Sequence, residues 1–169
     1  YTTRKPRDTE LHGRDYLFVD EAEFVRLRDG GEMLESAMVF DNRYGTSRSQ
    51  VEQLLSEGHH VILEIDWQGA RQVRESMPES IDIFVLPPSA AELERRLRGR
   101  RTDSEAVINR RLRDALGDMA HWLEFDFVII NDDLETAIDE LEAILDGGRE
   151  ANRTSNPLLQ QKVSGILRR

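Results

Sequence analysis

At 169 residues, 38% hydrophobic and 33% charged, the chain has the apolar content of one folded domain with a sizeable core, which excludes general disorder. A formal net charge of −10 excludes a general nucleic-acid binder, and the lack of any cysteine excludes disulfides and thiolate metal sites. No apolar run reaches membrane-spanning length, no signal-peptide pattern is present and the four histidines lack ligand spacing, so a cytoplasmic protein without membrane partners is expected.

The chain begins with Tyr1 rather than Met and reads as the continuation of a longer gene product. Thr2 to Asp8 is basic and extended or turning, because Lys5 before Pro6 is pushed away from helical angles, and Arg4 and Arg7 could converge on one anion. Asp15 to Val19 is β-prone. Asp20 with Glu23 predicts the cap of a short helix carrying Phe24 and Leu27, ended by Gly30-Gly31. Glu32 to Phe40 alternates weakly and predicts a strand with Glu35 on one face. Asp41 to Gly45 is a turn by composition; Ser49, Val51, Leu54 and Leu55 then follow helical spacing to a stop at Gly58.

From His60 onward strands alternate with helices. Val61 to Ile65 is a continuous apolar run, predicted as a strand covered on both faces, and ligands in open α/β sheets gather at the carboxyl ends of such strands. Glu64 and Asp66, two apart, project the same way from that end. A helix through Arg71 and Val73 follows, then a second buried strand, Ile81 to Leu86. Pro87-Pro88-Ser89 with Glu92, and Thr102 with Glu105, are capping boxes for two helices. Phe125 to Ile130 is a third buried strand, closed by Asn131-Asp132-Asp133; Ala137 to Leu145 is an amphipathic helix stopped by Gly147-Gly148. A last helix starts at Pro157, and Gly147 to Pro157 is either a linker or a loop before it. The pattern predicts an α/β fold, a parallel sheet flanked by helices, preceded by a small mixed or antiparallel lobe.

Arginine is crowded into Arg95, Arg96, Arg98, Arg100, Arg101, Arg110, Arg111 and Arg113, a local cationic face suited to a small anion. Within it, Arg96, Arg98 and Arg113 are expected to be solvated or paired with Glu92, Glu94 and Asp114. Asn152-Arg153-Thr154 matches a glycosylation acceptor, a chance match without a secretory signal.

Taken together, Thr2-Thr3-Arg4-x-Pro6-Arg7, Gly13-x-Asp15-Tyr16-x-Phe18-Val19, Tyr44-Gly45-Thr46 and Leu63 to Ala70 resemble the guanylate kinases. So do Pro87-Pro88-Ser89, Arg100-x-Thr102-Asp103-Ser104-Glu105 and Val128 to Leu134, all in the family's order over Tyr1 to about Asp146. The resemblance implies a P-loop nucleoside monophosphate kinase-like fold. Its parts would be a GMP lobe (1–58), a core (59–98 and 124–149), a lid with the following helix (99–123) and a tail helix (150–169). It implies transfer of the ATP γ-phosphoryl group to GMP with Mg2+, giving ADP and GDP in purine metabolism, and it is compatible with a homo-oligomer.

By the same resemblance Arg4, Arg7, Tyr16 and Tyr44 hold the GMP phosphate, which suits guanidinium forks and phenolic donors. Glu35, Thr46 and Glu64 fall on guanine-contacting positions; a carboxylate accepts from guanine N1–H and the exocyclic amine together, a pattern adenine lacks. Arg100 and Arg111 match lid arginines, Asp66 a carboxylate supporting the metal or its waters, and Asn131 an adenine-side position. Arg101 departs from the family, which commonly has glycine there, so which lid arginine reaches the phosphate stays open.

A guanylate kinase also carries Gly-x-x-x-x-Gly-Lys-Ser/Thr, a sequence these residues do not contain and which the family places just upstream of Tyr1. The expectation is therefore that this chain alone binds GMP weakly and does not turn over. Two alternatives follow: a non-enzymatic kinase-like domain binding phosphopeptides in the former GMP lobe, and a related kinase with another acceptor.

Overall fold

The computed structural model describes residues 1–39, 41–99 and 105–167. They form two compact units, Tyr1–Ser80 and Ile81–Arg169. No helix among the described residues is long and apolar enough to cross a membrane.

The first unit contains α1 (Glu21–Asp29), the strands β1 (Met33–Val39) and β2 (Asn42–Ser47), α2 (Arg48–Ser56) and α3 (Trp67–Ser76). The Asp20 carboxylate accepts from the Glu23 amide at 2.8 Å, the predicted cap, and α1 buries Phe24 and Leu27. Gly31, at φ +72°, turns the chain into β1, a conformation open to glycine without strain. β1 and β2 form an antiparallel hairpin pairing Glu35 with Thr46 and Ala37 with Tyr44.

Here the predicted turn over Asp41–Gly45 is corrected: only Asp41 takes a turn conformation (φ 68°), and Asn42 onward is strand. The small residue that signalled a turn is required by packing, since a Cβ on Gly45 would lie 2.6 Å from Met33 Sδ. Asp15–Val19 forms no ladder. Instead Thr2, fully buried, bridges both Phe18 and Tyr44, and its hydroxyl donates to the Arg43 carbonyl at 2.9 Å. That fixes the segment carrying Arg4.

The predicted strand over Val61–Ile65 is an extended segment paired with no strand among the described residues. Val61, Leu63 and Ile65 pack on the cluster of Leu34, Val51 and Val73, whereas Ile62 is 71% exposed. Continuous apolar composition signals two covered faces, and the described residues cover one. The segment ends where the Asp66 carboxylate caps α3, accepting from the Gly69 amide at 2.8 Å.

The second unit runs β3 (Ile83–Leu86), α4 (Ala90–Gly99), α5 (Glu105–Met119), a 3₁₀ turn (Ala120–Glu124), β4 (Phe127–Ile130), α6 (Leu134–Leu145), a second short turn (Glu150–Asn152) and α7 (Pro157–Leu167). β3 and β4 pair in parallel, Ile83 with Phe127 through Leu86 with Ile130, the pairing that a helical crossover permits. Alternate β4 residues serve two cores: Val128 joins Leu86, Trp122, Leu159 and Val163, and Phe127 and Ile129 join Ala137 and Ile144. Ser89 caps α4 by accepting from the Glu92 amide (3.1 Å), and Asp133 caps α6 by accepting from that of Thr136 (2.9 Å). The predicted cap at Thr102 lies outside the described residues.

Gly147–Pro157 is a loop before a docked helix, because α7 contributes Leu159 and Val163 to the core. Asn152 is 5% exposed and its amide nitrogen donates to the Val128 carbonyl at 2.9 Å, so the glycosylation match has no accessible acceptor. Four arginines of the cationic face are paired with carboxylates. Arg95 and Arg96 pair with Glu92 at 2.6 Å, Arg98 with Glu94 (2.8 Å) and Glu105 (2.6 Å), while Asp114 pairs with Arg110.

Candidate functional site

Simple strand alternation cannot bury three successive residues, yet Met33, Leu34 and Glu35 are all buried. A β-bulge resolves this: the register steps from Met33 opposite Ser47 to Glu35 opposite Thr46, leaving Leu34 as the extra residue. Leu34 then enters the cluster with Val51 and Val73, and Glu35 turns into a cavity of about 290 Å³ whose walls include Tyr16, Tyr44, Glu64 and Asp66.

The Glu35 carboxylate is the cavity's most buried polar group, 4% exposed. Its Oε1 accepts from the Thr46 hydroxyl at 2.6 Å, and its Oε2 lies so close to Gly69 that a Cβ there would sit 2.7 Å away. Burial pushes its pKa up; the Thr46 hydroxyl opposes this and the Asp66 charge adds to it. A buried carboxylate held from the side by Thr46 is suited to a ligand that brings more donors. Glu64 and Asp66 both line the cavity, as their spacing predicts.

The same cavity adjoins a cationic corner. Arg4 donates from Nε to the Tyr44 hydroxyl at 3.1 Å and from Nη2 to Glu10 Oε1 at 2.8 Å, and its guanidinium lies 5.4 Å from the centre of the Tyr16 ring. Tyr16 and Tyr44 meet edge to face at 6.1 Å. Arg7 donates its backbone N–H to Glu10 Oε2 at 2.8 Å, and its guanidinium, 65% exposed, stands 3.5 Å from Oε1. Glu10 therefore holds both arginines, and Arg4, its pKa raised by that pairing, stays charged. Two phenols and two guanidinium groups around one corner make a receptor for a multiply charged oxyanion.

Thus Arg4, Arg7, Tyr16, Glu35, Tyr44, Thr46, Glu64 and Asp66 come together in the first unit. Asn131 and Arg111 belong to the second unit. The Asn131 carbonyl, just past β4, accepts from Arg96 at 2.9 Å, and Arg111 is half-buried on α5. Arg100 and Arg101 lie outside the described residues. Sequence reasoning missed Glu10 and Gln72. The first carries a local signal, an acid three residues after Arg7; the second makes contacts 36 residues distant in sequence that no local pattern announces.

The guanylate kinase family model matches residues 1–147. The guanylate kinase of Aromatoleum aromaticum is 54% identical over 149 residues, 88% of this chain and 73% of that protein. That of Methylococcus capsulatus is 47% identical over 167 residues, 99% and 82% respectively. The crystal structure of guanylate kinase from Anaplasma phagocytophilum superposes with a TM-score of 0.74 at 36% identity, covering 97% of this chain and 80% of that one.

Proposed function

The chain belongs to the guanylate kinase family, whose reaction transfers a phosphoryl group from ATP to GMP, and we propose that the first-unit cavity is where GMP binds. It is a nucleoside monophosphate kinase, an ATP:GMP phosphotransferase, with the P-loop kinase-like α/β architecture of its structural relative. The phosphopeptide-scaffold reading is not favoured, since the relatives are guanylate kinases at high identity over most of their length.

The observation that carries the assignment is the Glu35–Thr46 pair facing the same cavity as the Arg4–Tyr44 corner. In this reading the guanine edge donates N1–H and its amine to Glu35, with Thr46 holding the carboxylate and Glu64 contacting the base. Arg4, Arg7, Tyr16 and Tyr44 neutralise the acceptor phosphate, which must approach another anion before transfer. Arg100 and Arg111 would supply charge around the moving group and Asn131 the adenine side. Small ionised nucleotides as substrates favour a cytoplasmic setting.

The family's use of ATP implies a divalent cation, taken here as Mg2+. Among the described residues no group of three or more His, Cys, Asp or Glu could hold a metal. Asp66 already accepts from the Gly69 amide on Oδ1 and from Gln68 on Oδ2. These residues would fit an ion carried on nucleotide phosphates, and Asp66, through its remaining lone pairs, would be the residue to accept from its waters. When bound, the ion supplies charge neutralisation to the phosphates.

Titration calorimetry of the chain with GMP and AMP tests the pocket: preference for GMP is expected. Equal affinity for the two, or binding that survives loss of both Arg4 and Glu35, would overturn it.

A further inference from the structure

α3 approaches the base-recognition strand at two points on one face. Gly69 lies against the Glu35 carboxylate, where a Cβ would be 2.7 Å from Oε2. Three residues on, and so on the same helix face, Gln72 meets the next peptide of β1. Its Oε1 accepts from the Ser36 amide at 3.0 Å, and its Nε2 donates to the Ser36 carbonyl at 2.9 Å. Nε2 also donates to the Gln68 carbonyl at 3.2 Å, which anchors the side chain on its own helix.

A side-chain amide that both accepts from and donates to one residue's backbone does what a neighbouring strand would do. The location matters. The bulge at Leu34 interrupts the β1–β2 ladder immediately before Glu35, so pairing with β2 constrains Glu35 weakly on that side. Gln72 holds the chain immediately after Glu35, and the carboxylate is left pinned between Thr46, Gly69 and a fixed backbone.

We propose that Gln72 is a positioning residue for base recognition, holding the Ser36 peptide so that both oxygens of Glu35 meet the two donors of a guanine edge. This rests on the cavity being the GMP site. A carboxylate satisfies N1–H and the 2-amino group together only when its plane is aligned with the base, and a loosened Glu35 loses the second contact first. Gln72 therefore governs discrimination between GMP and IMP, which lacks the 2-amino group, and does not govern phosphate binding at Arg4.

The test is calorimetry of the chain with GMP, IMP and ribose 5-phosphate, comparing wild type with Gln72→Met, which keeps length but loses both hydrogen bonds to Ser36. Gln72→Glu, which keeps an acceptor but loses the donor, is the second variant should the first fail to fold by thermal melting. The expected result is a roughly tenfold fall in the GMP-over-IMP ratio, the loss of about one good hydrogen bond, with ribose 5-phosphate affinity unchanged. An unchanged ratio, or a parallel weakening of all three ligands, would overturn the proposal. A wild-type chain that binds ribose 5-phosphate but does not prefer GMP to IMP instead overturns the pocket reading on which it rests.

Discussion

Glu35 sits in a conflict between stability and recognition. Its buried carboxyl titrates above the ordinary glutamate value, chiefly through desolvation. In the window between its unfolded pKa and the raised folded one, the folded chain binds more protons than the unfolded, so its contribution to stability is present in acid and lost as pH rises. Glu35→Gln removes that loss and keeps an oxygen for the Thr46 hydroxyl. The variant should therefore melt higher than wild type at neutral pH, with the gap closing in acid. Its GMP affinity should fall by roughly 10- to 100-fold, because an amide offers a donor where guanine also donates. Paired melting curves and calorimetry check both halves; a lower melting temperature at neutral pH would contradict the first.

At the scale of elements, the caps were the most legible feature and the hairpin the least. Asp20 and Ser89 each cap the helix that their spacing announces, because capping depends on residues three apart in sequence. β2 reads as a turn because Asn42 and Gly45 are turn formers by composition, and only the opposing strand shows that Gly45 is small to admit Met33 and Phe24. Gly45→Ala should cost about 1–3 kcal/mol by urea denaturation, as in an overpacked core, since Met33 Sδ and Phe24 lie within 2.6 and 3.2 Å of the added methyl. Glu35, Thr46 and Tyr44 were legible through family resemblance, but the bulge that brings them together was not. A bulge is a register event between two strands and leaves only weak alternation in one.

Asp66 caps α3 and is proposed to support metal-bound water, and a single substitution separates the two. As the cap of α3 it needs only an oxygen near the Gly69 amide, and asparagine caps as well as aspartate. As a support for metal-bound water it needs its charge. Asp66→Asn should thus keep stability within about 0.5 kcal/mol, whereas Asp66→Ala costs about 1 kcal/mol. Phosphoryl transfer should fall with both variants alike. A fully active Asp66→Asn would confine the residue to capping.

Over the whole molecule, the predicted alternation of strand and helix holds in the second unit and not at Val61–Ile65, and the tail was assigned no structural role. The reason is that the tail's polar ties to the sheet, those of Asn152 and Thr154 among them, are long-range in sequence. Asn152, buried, donates both to the Val128 carbonyl (2.9 Å) and to Glu140 Oε2 (3.0 Å), joining the loop before α7 to β4 and α6. Removing the amide leaves the carbonyl of a fully buried residue without this donor, which costs about 1–3 kcal/mol. Asn152→Asp is worse, for it sets a carboxylate against both a carbonyl and Glu140, which repels it unless it takes up a proton. The chain's two tryptophans report separately, Trp67 in the first unit and Trp122 in the core of the second. With Trp67→Phe as background, denaturation followed by Trp122 fluorescence should rank wild type above Asn152→Ala and that above Asn152→Asp at neutral pH. Lowering the pH toward the carboxylate range should narrow the gap between the two variants, because protonation restores a donor to position 152. A gap independent of pH would mean that the amide acts through shape alone.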